Sequence, residues 1–298
     1  MRTPSNAHLG LLAAAVACAA VVACLAERPA DAPAATSQPA SRPATTQPAA
    51  TFTVATYNIL GLNRDLKAVA RTIRRSNADL VCLQEANADA ARYLKADLRD
   101  AYRHMDFRPA AGLSGLGFLA KRPFRQVRFL RRKFGRHDAW IIRARLAGAL
   151  VHVAGVHLEP TLPADGDLVV GTIGRLMATE EVREKEIDRV LDALPKGAPA
   201  VVLGDFNSTS RMVAPRRMAE RGFTDSFASV IERADGCPTW TGAYGLVPLS
   251  ARIDYVFHTK ELRTTSSRII NGKGSDHSLV VSTLTLAPRA ATQPVPGD

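Results

Sequence analysis

Six segments of this chain carry the residue types that hydrolytic and metal chemistry needs, each beside or within a short apolar run. Asn58 follows the run 52–57, Glu85 the run 80–83, His157 the run 150–156, and Asp205 with Asn207 the run 200–203. Asp254 lies inside the run 253–257, and Asp276 with His277 comes just ahead of the run 279–286. Carboxylates and imidazoles at strand ends can converge on one rim of a sheet, where a cleft is rigidly supported and still open to solvent. Taken singly, each residue also has a purely structural reading: a turn residue for Asn58, a helix-start charge for Glu85, a satisfied core imidazole for His157, an Asx-turn acceptor for Asp205. Together they form a site with three or four hard oxygen ligands and two imidazoles.

Those runs have the length and composition of strands. Between them, Leu66, Val69, Ala70 and Ile73 fall at helical spacing after Asp65, as do Ile187, Val190, Leu191 and Leu194 ahead of the breaker Pro195. Strand and helix alternate in the first part and strands dominate later, so a mixed sheet assembly with outer helices is expected rather than a helical bundle. Of the cysteines beyond residue 50, Cys82 sits in an apolar run and Cys237 beside Pro238. Cys82 is expected to be a buried free thiol, with a disulfide as the alternative outside the cytoplasm.

The chain has 298 residues, 46% hydrophobic and 22% charged, a globular balance that excludes a fibrous or wholly disordered protein. Lys and Arg outnumber Asp and Glu by 39 to 28, a net charge of +11. Such a surplus favours an anionic partner, nucleic acid or lipid headgroups, although an Arg-rich genome alone produces the same bias. Residues 121–145 hold ten basic side chains against one acid, Asp138, and Arg122, Arg131, Arg132 and Lys133 are the candidate substrate contacts. The run could track a nucleic-acid backbone, touch an anionic membrane, or be a solvated face, with Phe129, Phe134 and Trp140 among the aromatics interleaved in it.

Both ends differ from the middle. Residues 9–26 are uncharged and rich in Ala, Val and Leu, a secretory signal rather than a spanning helix. Within them Val21-Val22-Ala23-Cys24 resembles the lipobox of bacterial lipoproteins, which implies acylation of Cys24, loss of residues 1–23 and an extracytoplasmic, membrane-anchored protein. An ordinary cleaved signal is the alternative. Residues 24–50 read as a Pro/Ala/Thr-rich disordered tether, 51–286 as one catalytic domain, expected to be a monomer, and 287–298 as a disordered tail.

Read in order, Thr56-Tyr57-Asn58-Ile59-Leu60, Leu83-Gln84-Glu85, Val156-His157-Leu158, Leu203-Gly204-Asp205-Phe206-Asn207, Arg252-Ile253-Asp254-Tyr255-Val256 and Ser275-Asp276-His277 resemble the motifs of the endonuclease/exonuclease/phosphatase superfamily, the deoxyribonuclease-I-like fold. The resemblance spans 51–286, with lesser matches at 117–123, 222–226 and 238–240. It implies an α/β protein, a four-layer α/β sandwich of two packed mixed β-sheets flanked by helices. Two departures stand out. Val156 replaces a common Thr, which puts substrate-side hydrogen bonding by that strand in doubt, and the long, Gly-rich segment 160–177 is expected to loop over the cleft.

By this resemblance the protein is a metal-dependent phosphoric ester hydrolase. Glu85 is then the main metal ligand, with Asn58 and Asp276 completing the site. Asp205 orients and deprotonates the attacking water, and Asn207 holds that water or a phosphate oxygen. His277 contacts the scissile phosphate, Asp254 fixes and charges His277, and His157 assists the leaving group as acid or clamp. Hard oxygen donors suit Mg²⁺ or Mn²⁺, whereas softer metals would want thiolates, and neither domain cysteine belongs to the cluster. The leading expectation is a tethered nuclease. A phospholipid, sphingomyelin or inositol-phosphate phosphoesterase of the same superfamily is the second reading, and a non-catalytic anion-binding surface domain the third.

Overall fold

Strand β1 (Thr51–Asn58) is covered on both faces, so its alternating side chains build two different cores. Ala55 and Tyr57 face helices, while Phe52 and Val54 face a second sheet. The computed structural model describes residues 50–63, 65–110, 114–160, 170–244 and 247–288. The expected signal, Cys24, the tether up to residue 49 and the tail from residue 289 lie outside the described residues.

After β1 come α1 (Leu66–Ser76), β2 (Leu80–Gln84), α2 (Ala88–Asp97), β3 (His104–Pro109) and β4 (Gly115–Ala120). Then follow β5 (Phe124–Leu130), β6 (Ala139–Leu146), β7 (Ala149–His157), α3 (Val170–Ala193), β8 (Ala200–Asp205) and α4 (Val213–Glu220). The chain continues through β9 (Thr224–Asp225), β10 (Trp240–Tyr244), β11 (Val247–Ala251), β12 (Asp254–His258), β13 (Leu262–Ile270) and β14 (Leu279–Leu286). One six-stranded sheet has the order β13-β14-β1-β2-β4-β3 and the other β5-β6-β7-β8-β12-β9, with β10 and β11 forming a separate ribbon. The pairs β1/β2 and β7/β8 are parallel, each joined through a helix, and the other pairings are antiparallel.

Three apolar layers make the sandwich. Between the sheets lie Phe52, Val54, Leu80, Cys82, Val153 and Val256, where Phe118 and Trp140 meet edge-on with centroids 5.1 Å apart. Val69, Ile73 and Leu94 of α1 and α2 cover one sheet, and Ile187, Val190 and Met218 of α3 and α4 cover the other. This is the mixed sheet assembly with outer helices expected from the alternation of runs, and the four-layer α/β sandwich that the family resemblance implies. Helix α1 starts where expected, because the Asp65 carboxylate accepts from Ala68 N at 2.9 Å and caps the first turn.

One expectation is revised. The helix ahead of Pro195 extends back to Val170, so part of the segment expected as a loop over 160–177 is helical, and residues 161–169 lie outside the described residues. Its last turns cover the sheet through Ile187, Val190 and Leu191. Among the described residues Cys82 and Cys237 are both free, and Cys82 is buried in the inter-sheet core as expected, where loss of solvation pushes its thiol pKa up.

Candidate active site

The pattern that builds the inter-sheet core also delivers polar side chains to one rim. In β1, Phe52 and Val54 enter that core, and the same face ends at Asn58. In β7, Val151 and Val153 lead to His157; in β8, Val201 and Leu203 lead to Asp205; in β12, Val256 shares its face with Asp254. Register then sets them side by side, with His157 and Asp254 both paired to Asp205 across neighbouring strands.

Glu85 reaches the rim differently. Val81 and Leu83 of β2 face the helices, and a further extended step would send Glu85 the same way. Instead Glu85 has φ 59, outside the extended region. Its Oε1 accepts from Asn58 Nδ2 at 3.0 Å and its Oε2 from Gly61 N at 2.7 Å. A strained backbone of this kind persists where surrounding bonds over-determine it.

Asn58 bridges the two carboxylates, since its Nδ2 also donates to Asp205 Oδ2 at 3.0 Å, while its Oδ1 accepts from Leu60 N at 3.0 Å. Asn207, at φ 48, donates its backbone N to Asp205 Oδ1 at 2.8 Å and its Nδ2 to Leu158 O at 3.0 Å. His277 Nδ1 lies 2.9 Å from Asp254 Oδ2, and its Nε2 lies 3.7 Å from Asp205 Oδ2. His157 Nε2 approaches the same oxygen from the other side at 3.6 Å. The Asp276 carboxylate accepts from Trp240 Nε1 at 2.9 Å, and Ser275 Oγ donates to Asn58 O at 2.8 Å, which stitches this loop to the end of β1.

Asn58, Glu85, His157, Asp205, Asp254 and His277 are all buried, and electrostatics follows from that. Burial pushes the pKa of Glu85 up, against the hydrogen bonds from Gly61 and Asn58, and nearby Asp276 adds to the rise. Burial likewise raises that of Asp205, with the His277 charge opposing and Asp254 reinforcing. For His277 burial disfavours the cation, but the carboxylates of Asp254 and Asp205 outweigh it and hold the imidazole charged well above its ordinary range. His157 has no carboxylate in hydrogen-bond contact as His277 has Asp254, and burial, with the His137 ring and the His277 charge beside it, drives its pKa well below the usual imidazole value.

The donor set fits a hard divalent cation. Glu85, Asp205, Asp254 and Asp276 outnumber the single imidazolium His277, the oxygens are carboxylate and amide, and Asp254 Oδ1 is buried with no hydrogen-bond partner. Asp205, Asp254 and His277 each bring a possible ligand atom to within 4.8 Å of the others. Because His277 hydrogen-bonds Asp254 and pairs at longer range with Asp205, that trio is partly neutralised internally, which leaves Glu85 and Asp276 as the carboxylates with no ion-pair partner within 4 Å among the described residues.

The structure therefore gathers Asn58, Glu85, His157, Asp205, Asn207, Asp254, Asp276 and His277 at one rim. The basic run does not stay together. Leu130 pairs with Ala139 next to the end of β7, so Arg131, Arg132 and Lys133, all exposed, lie on the loop 131–138 beside His157. Arg122 follows Ala120, which pairs with Leu80 at the opposite end of β2, and so sits at the far rim. Antiparallel strands carry a continuous run from one rim to the other and back. Val156 packs in the core under α3, away from the cleft, so its replacement of Thr leaves the substrate side untouched. Missed from sequence were His137, which stacks on His157, and Thr239, whose Oγ1 accepts from Ile253 N and Asp254 N at 3.0 Å each. His137 had no periodic or motif signal, and Thr239 lay in the lesser match at 238–240 with no role assigned to it.

The Exo_endo_phos family, described as the endonuclease/exonuclease/phosphatase family, matches residues 55–277. A search of curated proteins finds no match. Among solved structures, an endonuclease/exonuclease/phosphatase from Beutenbergia cavernae DSM 12333 is similar at 23% identity and a TM-score of 0.63, covering 80% of this chain and 72% of that one. A D. rerio TDP2 complexed with single strand DNA product is similar at 18% identity and 0.62, covering 79% of this chain and 99% of that one. An AP endonuclease from Archaeoglobus fulgidus is similar at 18% and 0.60, covering 78% and 98%. With the motif order, the two-sheet fold and a family match over most of its length, this chain belongs to the endonuclease/exonuclease/phosphatase family of phosphoester hydrolases.

Proposed function

We propose that this chain is a Mg²⁺- or Mn²⁺-dependent phosphodiesterase that cleaves nucleic acid outside the cytoplasm, tethered to a membrane through acylated Cys24. One observation supports this above the others: buried carboxylates gather around a single imidazolium beside a loop whose Arg131, Arg132 and Lys133 have no ion-pair partner among the described residues. Glu85 and Asp276 would hold the ion, with Asn58 as the third ligand if its Oδ1 exchanges Leu60 N for the metal. Bound there, the ion would neutralise charge on the phosphoryl oxygens.

The chain's own residues supply the rest. Asp205 takes the proton of the attacking water, and the raised pKa that burial gives it makes it a stronger base than a solvated carboxylate. Asn207 N fixes one of its oxygens and leaves Oδ2 facing His157, His277 and Asn58. Asp254 keeps His277 charged and oriented, so an imidazolium N–H is available to the developing charge on phosphate. Neutral His157 stands on the opposite side of Asp205, where a ring N–H would hydrogen-bond the departing alkoxide, which takes its proton from solvent water.

The test is cleavage of DNA, sphingomyelin and soluble phosphomonoesters by one purified sample with Mg²⁺. DNA cleavage that is lost with chelator and falls by at least about 10²-fold in Glu85→Gln is expected. Full activity in excess chelator would overturn the metal, and sphingomyelin cleavage without DNA cleavage would overturn the substrate. Labelled palmitate should mark the wild type and spare Cys24→Ser. A lipid substrate is the second reading, supported by Leu62, 75% exposed beside Gly61, and Phe134, 41% exposed beside the loop cations.

A further inference from the structure

The two imidazoles at the rim are held in different ways. His277 is oriented by a carboxylate, through the 2.9 Å contact of its Nδ1 with Asp254 Oδ2. His157 has no equivalent: its Nδ1 is buried without a partner, and its Nε2 is 3.6 Å from Asp205 Oδ2, long for a hydrogen bond. What touches the face of its ring is a third imidazole. His137 stacks on His157 with centroids 3.8 Å apart and planes 15° from parallel.

His137 is itself anchored. Its Nδ1 lies 3.0 Å from Ser114 Oγ, just ahead of β4 in the other sheet. The loop that carries it is pinned on both sides: Arg189 of α3 donates to Arg131 O, and Arg136 donates its N and Nε to the Glu159 carboxylate at 2.9 and 2.8 Å. Gly135 lies so close to the Glu186 and Glu159 carboxylates that a Cβ there would overlap Glu186 Oε1. The stack is therefore the end of a clamped loop. His137 and His157 together also line a shallow, solvent-open pocket with Arg132, Lys133 and Arg189.

We propose that His137 is the positioning residue of His157: by ring stacking it does for His157 what Asp254 does for His277 by a hydrogen bond, and it ties that ring's orientation to the seating of the basic loop. The device suits an uncharged ring. A carboxylate on His157 would draw a proton onto it, whereas a stacked neutral imidazole orients the ring without doing so, and burial keeps it uncharged. Burial pushes His137 down to about 4, against the nearby Glu159, so it is neutral as well. The inference rests on the reading of His157 as a group at the reacting phosphate.

Kinetics on a short DNA oligonucleotide with Mg²⁺, whose leaving group is an alkoxide, for His137→Ala, His137→Phe, His157→Ala and the His137→Ala/His157→Ala double variant, tests it. His137→Ala should lower kcat about 10- to 100-fold with KM within about threefold, the size of effect a misplaced catalytic group produces. His137→Phe, which keeps a flat ring, should recover kcat to within about threefold of wild type. The double variant should be no slower than His157→Ala, because a positioning residue has nothing left to position. If His137→Ala does not fold, His137→Leu, which fills the space without a flat ring, takes its place with the same expected loss. An unaffected His137→Ala, a His137→Phe as slow as His137→Ala, or multiplicative losses in the double variant would overturn the inference while leaving the role of His157 standing. A His157→Ala enzyme at the wild-type rate would overturn that role, and the inference with it.

Discussion

The Asp254 carboxylate and the His277 imidazole form a buried pair at 2.9 Å, and a second carboxylate, Asp205, faces the free nitrogen of the same ring. Asp254 is held in turn by its backbone N, which donates to Thr239 Oγ1 at 3.0 Å. Asp254→Asn should lower kcat by about 10²- to 10⁴-fold and leave KM nearly unchanged, since the carboxylate orients and charges the ring without meeting substrate. A double variant with His277→Ala should be scarcely slower than the slower single. The sign for pH follows from the same contact: losing the carboxylate lowers the His277 pKa, so the alkaline loss of activity should move to lower pH in Asp254→Asn. A profile that does not move would separate the two residues.

The division of the basic run between two rims predicts a division in salt response. Each phosphate contact adds a log–log slope of about −0.9 to the salt dependence of duplex binding. Replacing Arg131, Arg132 and Lys133 by Ser should flatten the slope by about 1 to 3 units, whereas Arg122→Ser, at the far rim, should leave it unchanged. Fluorescence anisotropy on labelled duplex from low to high salt checks both. Equal flattening in the two variants would contradict the placement.

Gly204 should be irreplaceable for a backbone reason. It has φ 153 and lies in register with Val156, so close that a Cβ would overlap Val156 O. Neither atom can move without breaking the β7/β8 ladder that carries His157 and Asp205. Gly204→Ala should cost about 3 kcal/mol or more in urea unfolding, from main-chain overlap together with strain at an unfavourable φ. A midpoint like the wild type's would show that the strands yield there.

Glu186 provides a stability test away from the reaction centre. Burial raises its pKa to about 7, partly offset by the hydrogen bond from Glu159 N, and the Glu159 charge adds to the rise. A carboxyl whose folded pKa exceeds its unfolded value binds more protons in the folded state, so its contribution to stability falls as pH rises from about 4.5 to about 7. Glu186→Gln should therefore change little at pH 5 and stabilise at pH 8 by ~1–3 kcal/mol. Thermal unfolding at the two pH values checks it, and equal shifts at both would show that the carboxyl is not protonated in the fold.

The layered fold and most of the rim were readable in the sequence because both depend on short-range periodicity. Alternation along 52–57 and 200–203 already says which residues share a face, and a polar residue at the end of an apolar face must stand at the edge of the core, as Asn58 and Asp205 do. Such information is contained within six or seven residues. What tertiary structure alone decided has no local carrier. Glu85 leaves its expected face because a left-handed backbone step is held by Asn58 and Gly61, which lie more than twenty residues away. The run 121–145 looks continuous as a string, yet strand reversal carries its halves to opposite rims. His137 meets His157 only because a clamped loop folds back across the end of β7, a contact set by the packing of β4, α3 and β7 around it and by no spacing within the loop.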